Sequence, residues 1–438
     1  MFVISPLEYR YKTEMSQIFD EEARLKKWLL VEAALARAHA EVGNIPKNVA
    51  EEIVRVAESG KVKPERVKEI EEQIHHDLMA MVKALSEQCS PKAAAYVHLG
   101  ATSYDIEDTA LALTLKDAIG LIEKRLRELE KVLIKLAKRH KKTVCIGRTH
   151  GQHAVPTTYG MKFALYLSEI RRHQKRIHEA KPRLFVGKMS GAVGTMATFG
   201  DKAFLIENKV MSQLGLKPAL VSNQVIQRDR HAEAIFILSL IACTLEKIAK
   251  EIRNLQRTEI AEVAEPFGAK QVGSSTMPHK RNPHKSERIC SLARIVRTNL
   301  HVALENIPLE HERDLTNSAN ERFILPEAFI ITDYMLVQMT SILSGLEFFA
   351  ENIRRNLMLT DEIFAERVML ALTKKGMGRQ DAHEYVRTMI IRARNEKRKF
   401  SELLLEKFTK EEVEELTDPA TYIGKAEEIV ERALRGGE

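Results

Sequence analysis

ALTLKDAIGLIEKRLRELEKVLIKL, residues 112–136, decides the fold class. Its apolar positions Ala112, Leu115, Ile119, Ile122, Leu126, Leu129, Leu133 and Leu136 alternate three and four residues apart. That is the spacing of a seam between long helices, whereas a strand would alternate at every second residue. A second seam reads Leu238, Ile241, Leu245, Ile248, Ile252 and Leu255. Helices of this length must bury their stripes against one another, so the middle of the chain predicts a bundle. Proline breaks helix interiors, and its spacing leaves the tracts 92–155, 219–265 and 327–418 free for long helices. No stretch alternates convincingly as a strand. A strict heptad stripe also suits a free-standing coiled coil, but the polar loops between the seams favour a globular bundle.

Up to about Tyr104 the helical segments are shorter, broken at Gly43–Pro46 and Gly60–Pro64. After about Asn352 the pattern shortens again and becomes rich in Lys, Arg and Glu. The expected protein is all-α, with three helical domains: an N-terminal domain 1–104, a central long-helix bundle 105–352 and a C-terminal domain 353–438. A chain of 438 residues is too long for one ordinary compact domain, which agrees with that division.

With 44% hydrophobic and 29% charged residues, the composition is that of a soluble globular protein. Uncharged runs such as 334–346 fall short of the ~18 apolar residues a membrane span needs, so no membrane partner is expected. The start, MFVISPLEYRYKTEM, lacks the basic-then-apolar design of a signal peptide. Cys89, Cys145, Cys243 and Cys290 form no CxxC pair, which suits reduced thiols in a cytoplasmic protein. The net charge is +7, but its basic runs at 138–142, 171–176 and 392–399 lie far apart. Only 6% of residues are aromatic and none interleave with the basic runs, so nucleic acid is not the expected partner. Most of these runs read as solvated helix faces, and the functional reading kept beside that is a positive field drawing in a small anionic substrate.

The chemistry concentrates in residues 273–283, GSSTMPHKRNP, an irregular segment between two helical patterns. Gly273 can take backbone angles closed to other residues, and Pro278 and Pro283 stop helix formation. Exposed N–H groups, hydroxyls and Lys280 make the segment a cradle for a carboxylate or another oxyanion. A plain Ser/Thr/Pro connector would explain a GSS tripeptide, but not eleven residues of this mixture.

This segment resembles the signature loop of the fumarase/aspartase superfamily, whose members form or break a bond by elimination or addition with fumarate. His98–Asp105 (HLGATSYD) and Cys145–Gly151 (CIGRTHG), extended to Gly160, are similar to its other two blocks. Leu309–Pro326 (LEHERDLTNSANERFILP) resembles the adenylosuccinate lyase family within it, and the likeness runs through the whole chain. It implies a homotetramer whose central bundles share one core, with active sites shared between subunits; since the chemistry is proton transfer and the sequence lacks ligand clusters, no cofactor is expected.

Breaking a C–N bond beta to a carboxylate requires a base for the Cβ proton, a holder for the resulting aci-carboxylate and an acid for the departing nitrogen. The resemblance assigns the base to Ser274, and Ser275 to hydrogen-bonding the substrate. A serine acts as a base only as an alkoxide that N–H groups and cations stabilise. His150 is the candidate acid, because an imidazole with an ordinary pKa of ~6.5 can give up a proton that a lysine would hold. Glu287, shortly after the loop, is the candidate to orient and polarise that histidine, the alternative being a surface acid in a first helical turn. His150 and His153 together raise a metal reading. No HExxH motif or carboxylate at ligand spacing accompanies them, so no metal is expected.

The same resemblance places His75, His76, Asp77, Thr102 and Ser103 against the succinyl and phosphate ends of an anionic nucleotide, with His98 orienting it at the succinyl end. It places Arg10 and Tyr11 on the phosphate, and Gln224, Arg313, Ser318 and Arg322 on the nucleotide side. Thr149, Lys280 and Asn282 complete the substrate contacts. Guanidinium forks suit phosphate, and cations from distant segments match a substrate with two carboxylates and a phosphate. Arg288 stands where the family usually has Asn, so no contact is carried to it. Ser190–Thr195 (SGAVGT) reads as a turn packed under the site, since no strand precedes it as in a dinucleotide loop.

Overall fold

Every residue of both seams is buried, none more than 9% exposed, on the helices Ser103–Arg139 and Asp229–Leu255. The structure is a computed structural model and describes residues 5–268 and 270–436. Among them are seventeen α-helices. The long ones are Glu21–Glu41, Ser103–Arg139, Tyr159–Leu184, Asp229–Leu255, His284–Glu305 and Ser318–Ser344. The only sheets among the described residues are three two-stranded pairs, so the fold is all-α.

Sequence breaks become helix ends where the chemistry requires. Gly43 and Gly60 take positive φ, and helices restart at Lys47 and at Pro64, which occupies the first turn where its missing N–H costs nothing. Two of the long helices nonetheless contain a proline. The Tyr159–Leu184 helix contains Pro182, and the Ser318–Ser344 helix runs straight through Pro326. Pro326 forfeits one i→i−4 bond, which the buried apolar face of that helix (Leu325, Phe329, Leu336 and Met339, each at most 3% exposed) outweighs. That helix is long and apolar enough to span a membrane by length and composition, yet 67% of its most apolar window is buried in the protein, as befits a core helix.

The tract 92–155 does hold one long helix, Ser103–Arg139. It ends at Arg139 and turns into an antiparallel hairpin, Val144–Thr149 paired with Gln152–Thr158. Here the expectation of no strands is corrected locally. Gly147 sits at the register shift of this pair, and a Cβ there would come within 2.8 Å of the Val155 carbonyl oxygen.

The chain packs as two compact units. The first comprises the segments ending at Leu126, His173–Leu245 and Ser291–Val337. Its core joins the helix Glu21–Glu41 (Trp28, Val31, Leu35) to Leu78, Met81 and Leu85 and to Ile206, Val210 and Met211. The second comprises Arg127–Arg172, Glu246–Cys290 and the chain from Gln338 onward. One of its cores collects Val368, Leu372, Val386, Phe400 and Leu404, and another sets Ile146 of the hairpin against Leu357, Ile363 and Phe364.

Candidate active site

In the first unit the site residues gather at the starts of two helices. Ser103 opens one and Ser318 the other, and the Tyr104 hydroxyl donates to Ser318 Oγ at 3.3 Å. Thr102 is fixed by its N–H, which donates to Asp105 Oδ2 at 2.9 Å. Asp105 is fully buried, ion-paired with the equally buried Lys188, and also accepts the amides of Ser190 and Gly191. The Ser190–Thr195 turn thus packs beneath the His98–Asp105 block. A two-residue strand, Val186–Gly187, does precede it, but pairs only with Lys217–Pro218.

Arg322 lies one helical turn beyond Ser318 and pairs with Asp77 at 2.6 Å. Asp77 begins the helix Asp77–Glu87, for which His76 is the N-cap, while His75 ends the preceding helix with φ 53°. Arg313 donates to Gln224 Oε1 at 3.0 Å, and its guanidinium stacks 3.7 Å from the centre of the Tyr104 ring. Tyr11 packs edge-on against Tyr334, and Arg10 is exposed. His98 Nδ1 lies 2.6 Å from Oε1 of Glu32, a carboxylate only 1% exposed. Burial disfavours the charged imidazole, but the hydrogen bond and the charges of Glu32 and Asp105 outweigh it and raise the His98 pKa.

Tyr104, Ser318 and Arg322 border a cavity of about 230 Å³, which Glu107 and Glu321 also line. Burial, reinforced by Asp77 and Asp108, pushes the Glu107 carboxyl up to about 8, against the pull of Arg313 and Arg322. Arg228 is buried at the cavity wall and held bidentately by Asp108 at 2.8 and 2.9 Å, with Glu321 at 2.9 Å.

In the second unit, Thr149 and His150 stand exposed at the hairpin tip. Thr149 pairs with Gln152, which leaves His150–Gly151 as a two-residue turn with φ of 53° and 76°. Positive φ at both positions is what a tight hairpin turn of this hand demands. The hairpin is anchored by Glu262, fully buried, which accepts from Arg148 at 2.5 Å, from the Tyr159 hydroxyl at 2.6 Å and from Asn356 at 3.0 Å. His153 pairs with Arg148 across the hairpin, and burial and Arg148 lower its pKa.

The 273–283 segment closes on itself. Asn282 Nδ2 donates to the Gly273 carbonyl at 3.0 Å, and a Cβ on Gly273 would lie 2.1 Å from the Lys280 carbonyl oxygen. Ser274 Oγ accepts two backbone N–H groups, from Met277 at 3.0 Å and Thr276 at 3.4 Å. Among the described residues Ser275 Oγ meets only the Thr276 hydroxyl, at 3.5 Å. Buried Glu265 then caps the helix His284–Glu305 through the amides of Ser286 and Lys285. Glu287 is exposed on its first turn and shares a recess of about 840 Å³ with Lys280 and Asn282.

The expected residues therefore fall into two groups. Asp77, Gln224, Arg313, Ser318 and Arg322 come together in one unit, and Ser274, Lys280, Asn282 and Glu287 in the other. Tyr104, Asp105, Glu107, Glu262 and Glu265 were not singled out from the sequence. Of these, Tyr104 and Asp105 lay inside a quoted block. Three of the site histidines, His75, His98 and His150, have positive φ, as does His311. Such backbone is costly outside glycine and gathers at functional sites.

A family profile described as Lyase matches residues 9–297, and one described as Adenylosuccinate lyase C-terminus matches residues 362–433. An adenylosuccinate lyase from Pyrococcus horikoshii is 58% identical over 98% of this chain and 97% of its own length. One from Methanocaldococcus jannaschii is 52% identical over 99% and 96%. Among solved structures, a 3-carboxy-cis,cis-muconate lactonizing enzyme from Pseudomonas putida superposes with a TM-score of 0.90 at 35% identity, covering 98% of both chains. The chain belongs to the adenylosuccinate lyase family of the fumarase/aspartase superfamily. It is a carbon–nitrogen lyase of purine nucleotide biosynthesis.

Proposed function

We propose that this enzyme eliminates fumarate from adenylosuccinate, giving AMP, and from succinylaminoimidazole-carboxamide ribotide, giving the free carboxamide. The observation that carries this reading is the end-to-end likeness to adenylosuccinate lyases, well above that to the lactonizing enzyme of the same fold. Ser274 removes the Cβ proton as an alkoxide, and its two N–H donors supply the stabilisation that a serine base needs. The aci-carboxylate is held by Ser275, Lys280 and Asn282. His150, projecting from a turn that Glu262 braces through Arg148, protonates the departing nitrogen. Glu287 orients it.

On the nucleotide side, Arg10, Tyr11, Arg313, Ser318 and Arg322 take the phosphate end, with Gln224 held by Arg313. His75, His76, Asp77, His98, Thr102, Ser103 and Thr149 complete the contacts. The ion pair of Arg322 with Asp77 opens, in this reading, when a phosphate takes the place of the carboxylate.

The two groups of site residues are completed by neighbouring subunits of a homotetramer working in the cytoplasm. Large apolar side chains left exposed on long helices, Leu165, Phe236, Leu304 and Phe323, support that assembly. The three-domain division at about residues 104 and 352 belongs to the same proposal. No metal or organic cofactor takes part, because the chemistry is proton transfer alone.

The test is ultraviolet detection of fumarate from adenylosuccinate by the purified protein, with 3-carboxy-cis,cis-muconate as the alternative substrate. Turnover of the nucleotide supports the proposal. Lactonisation of the muconate without nucleotide turnover sinks it.

A further inference from the structure

The nucleotide-side cluster contains one chemistry-bearing residue with no assigned role. Glu107 follows Ser103 by four residues on one helix, as Arg322 follows Ser318 on another, so each pair shares a helix face. Tyr104 ties the two helix starts together through Ser318, and Glu107 and Arg322 line the same cavity of about 230 Å³. That volume is ample for a phosphate group together with several waters. We infer that Glu107 is a further specificity-determining residue, whose carboxyl meets the phosphate end of the nucleotide as a hydrogen-bond donor beside Arg322. The inference rests on the function proposed above and assigns a new contact within it.

The surrounding charges explain why Glu107 is available. On the Glu21–Glu41 helix, Glu21 pairs with Arg24. On its own helix Asp108 holds Arg228, which also holds Glu321 of the Ser318–Ser344 helix. Asp77 holds Arg322, and Arg313 lies over the Tyr104 ring and bonds Gln224. Among the described residues Glu107 alone of these carboxyls has no hydrogen-bonding or ion-pairing partner. A partly buried carboxylate facing Asp77 and Asp108 without a cation of its own favours its protonated form, in accord with its raised pKa. Tyr104, pushed up to about 12, does not titrate in the same range.

A phosphate dianion only accepts hydrogen bonds, so a protonated carboxyl is a fitting neighbour and an ionised one is not. Once ionised, Glu107 would repel the phosphate and compete with it for Arg322. Conversely, a bound phosphate raises the carboxyl pKa further, so binding near pH 8 draws in a proton.

The experiment is the pH dependence of KM and kcat for adenylosuccinate between pH 7 and 9, for wild type and Glu107→Gln. With a carboxyl titrating near 8, wild-type KM rises about tenfold over this range while kcat does not follow. Glu107→Gln donates an N–H at every pH, so its KM, whatever its value at pH 7, stays within about twofold. A flat wild-type KM, or an equal rise in the variant, overturns the inference. Should the variant not fold, calorimetric titration of wild type with AMP at pH 8, in two buffers of different ionisation enthalpy, reads the same linkage. Proton uptake on binding supports it, and its absence overturns it. No turnover of adenylosuccinate at pH 7 would instead sink the proposed function itself, which an active enzyme with a flat KM would leave standing.

Discussion

Ser274 Oγ accepts the backbone N–H of Met277 at 3.0 Å, whereas the neighbouring Ser275 receives no backbone donor among the described residues. Two adjacent serines in one loop are thereby made chemically unequal. A hydroxyl that already accepts N–H groups loses less on ionising, so the loop geometry favours Ser274 as the proton acceptor.

Gly273 makes that geometry possible. Replacing it with alanine would drive a Cβ to 2.1 Å from the Lys280 carbonyl oxygen, so the turn that presents Ser274 must open. The loop is surface-exposed for most of its length, so melting temperature should change little while kcat falls by about 10²-fold, the penalty of a misplacement on the order of 1 Å. Steady-state kinetics with thermal denaturation on the same preparation checks this. Unchanged kcat would show that the loop tolerates the opening.

The His98–Glu32 pair, with its buried carboxylate, makes stability depend on pH. The folded-state pKa of His98 is raised, so its contribution is fully present below the unfolded value of ~6.5 and is lost as pH climbs through the folded value. His98→Gln should therefore cost roughly 1.5–3 kcal/mol at pH 5.5, the worth of a charge-assisted hydrogen bond, and progressively less above pH 7. Denaturant midpoints of both proteins across pH 5.5–8.5 would reveal it. A penalty that grows with pH would reverse the assignment.

Shared sites predict complementation. His150→Ala and Ser274→Ala are each expected to be inactive. Mixed after mild dissociation, they should regain fumarate release if these residues reach one site from different subunits. Verified mixed tetramers that stay inactive would place both residues within one chain's site.

Much of the fold was legible because helix seams leave a period that few other structures produce. Ala112–Leu136 and Leu238–Leu255 are buried at every marked position. The hairpin at 144–158 was not legible. Its strands do not alternate cleanly, and its turn is His150–Gly151 rather than the Asn-Gly or Asp-Gly that usually announces such a turn. Glu262 and Glu265 carry no sequence signal, because only the packed structure shows that they are buried and cap or brace the loops. Glu107 was hidden for a related reason. Apolar periodicity marks the buried stripe of its helix but cannot tell a polar residue lining a cavity from one facing bulk water.

The central claim is that Ser274 removes the proton, and kcat for adenylosuccinate in Ser274→Ala and Ser275→Ala tests it most directly. Loss of the base should lower kcat by on the order of 10²–10⁴-fold or more in Ser274→Ala with KM little changed, while Ser275→Ala retains more turnover and shows its defect partly in KM. The reverse pattern, an active Ser274→Ala and a dead Ser275→Ala, would contradict the account.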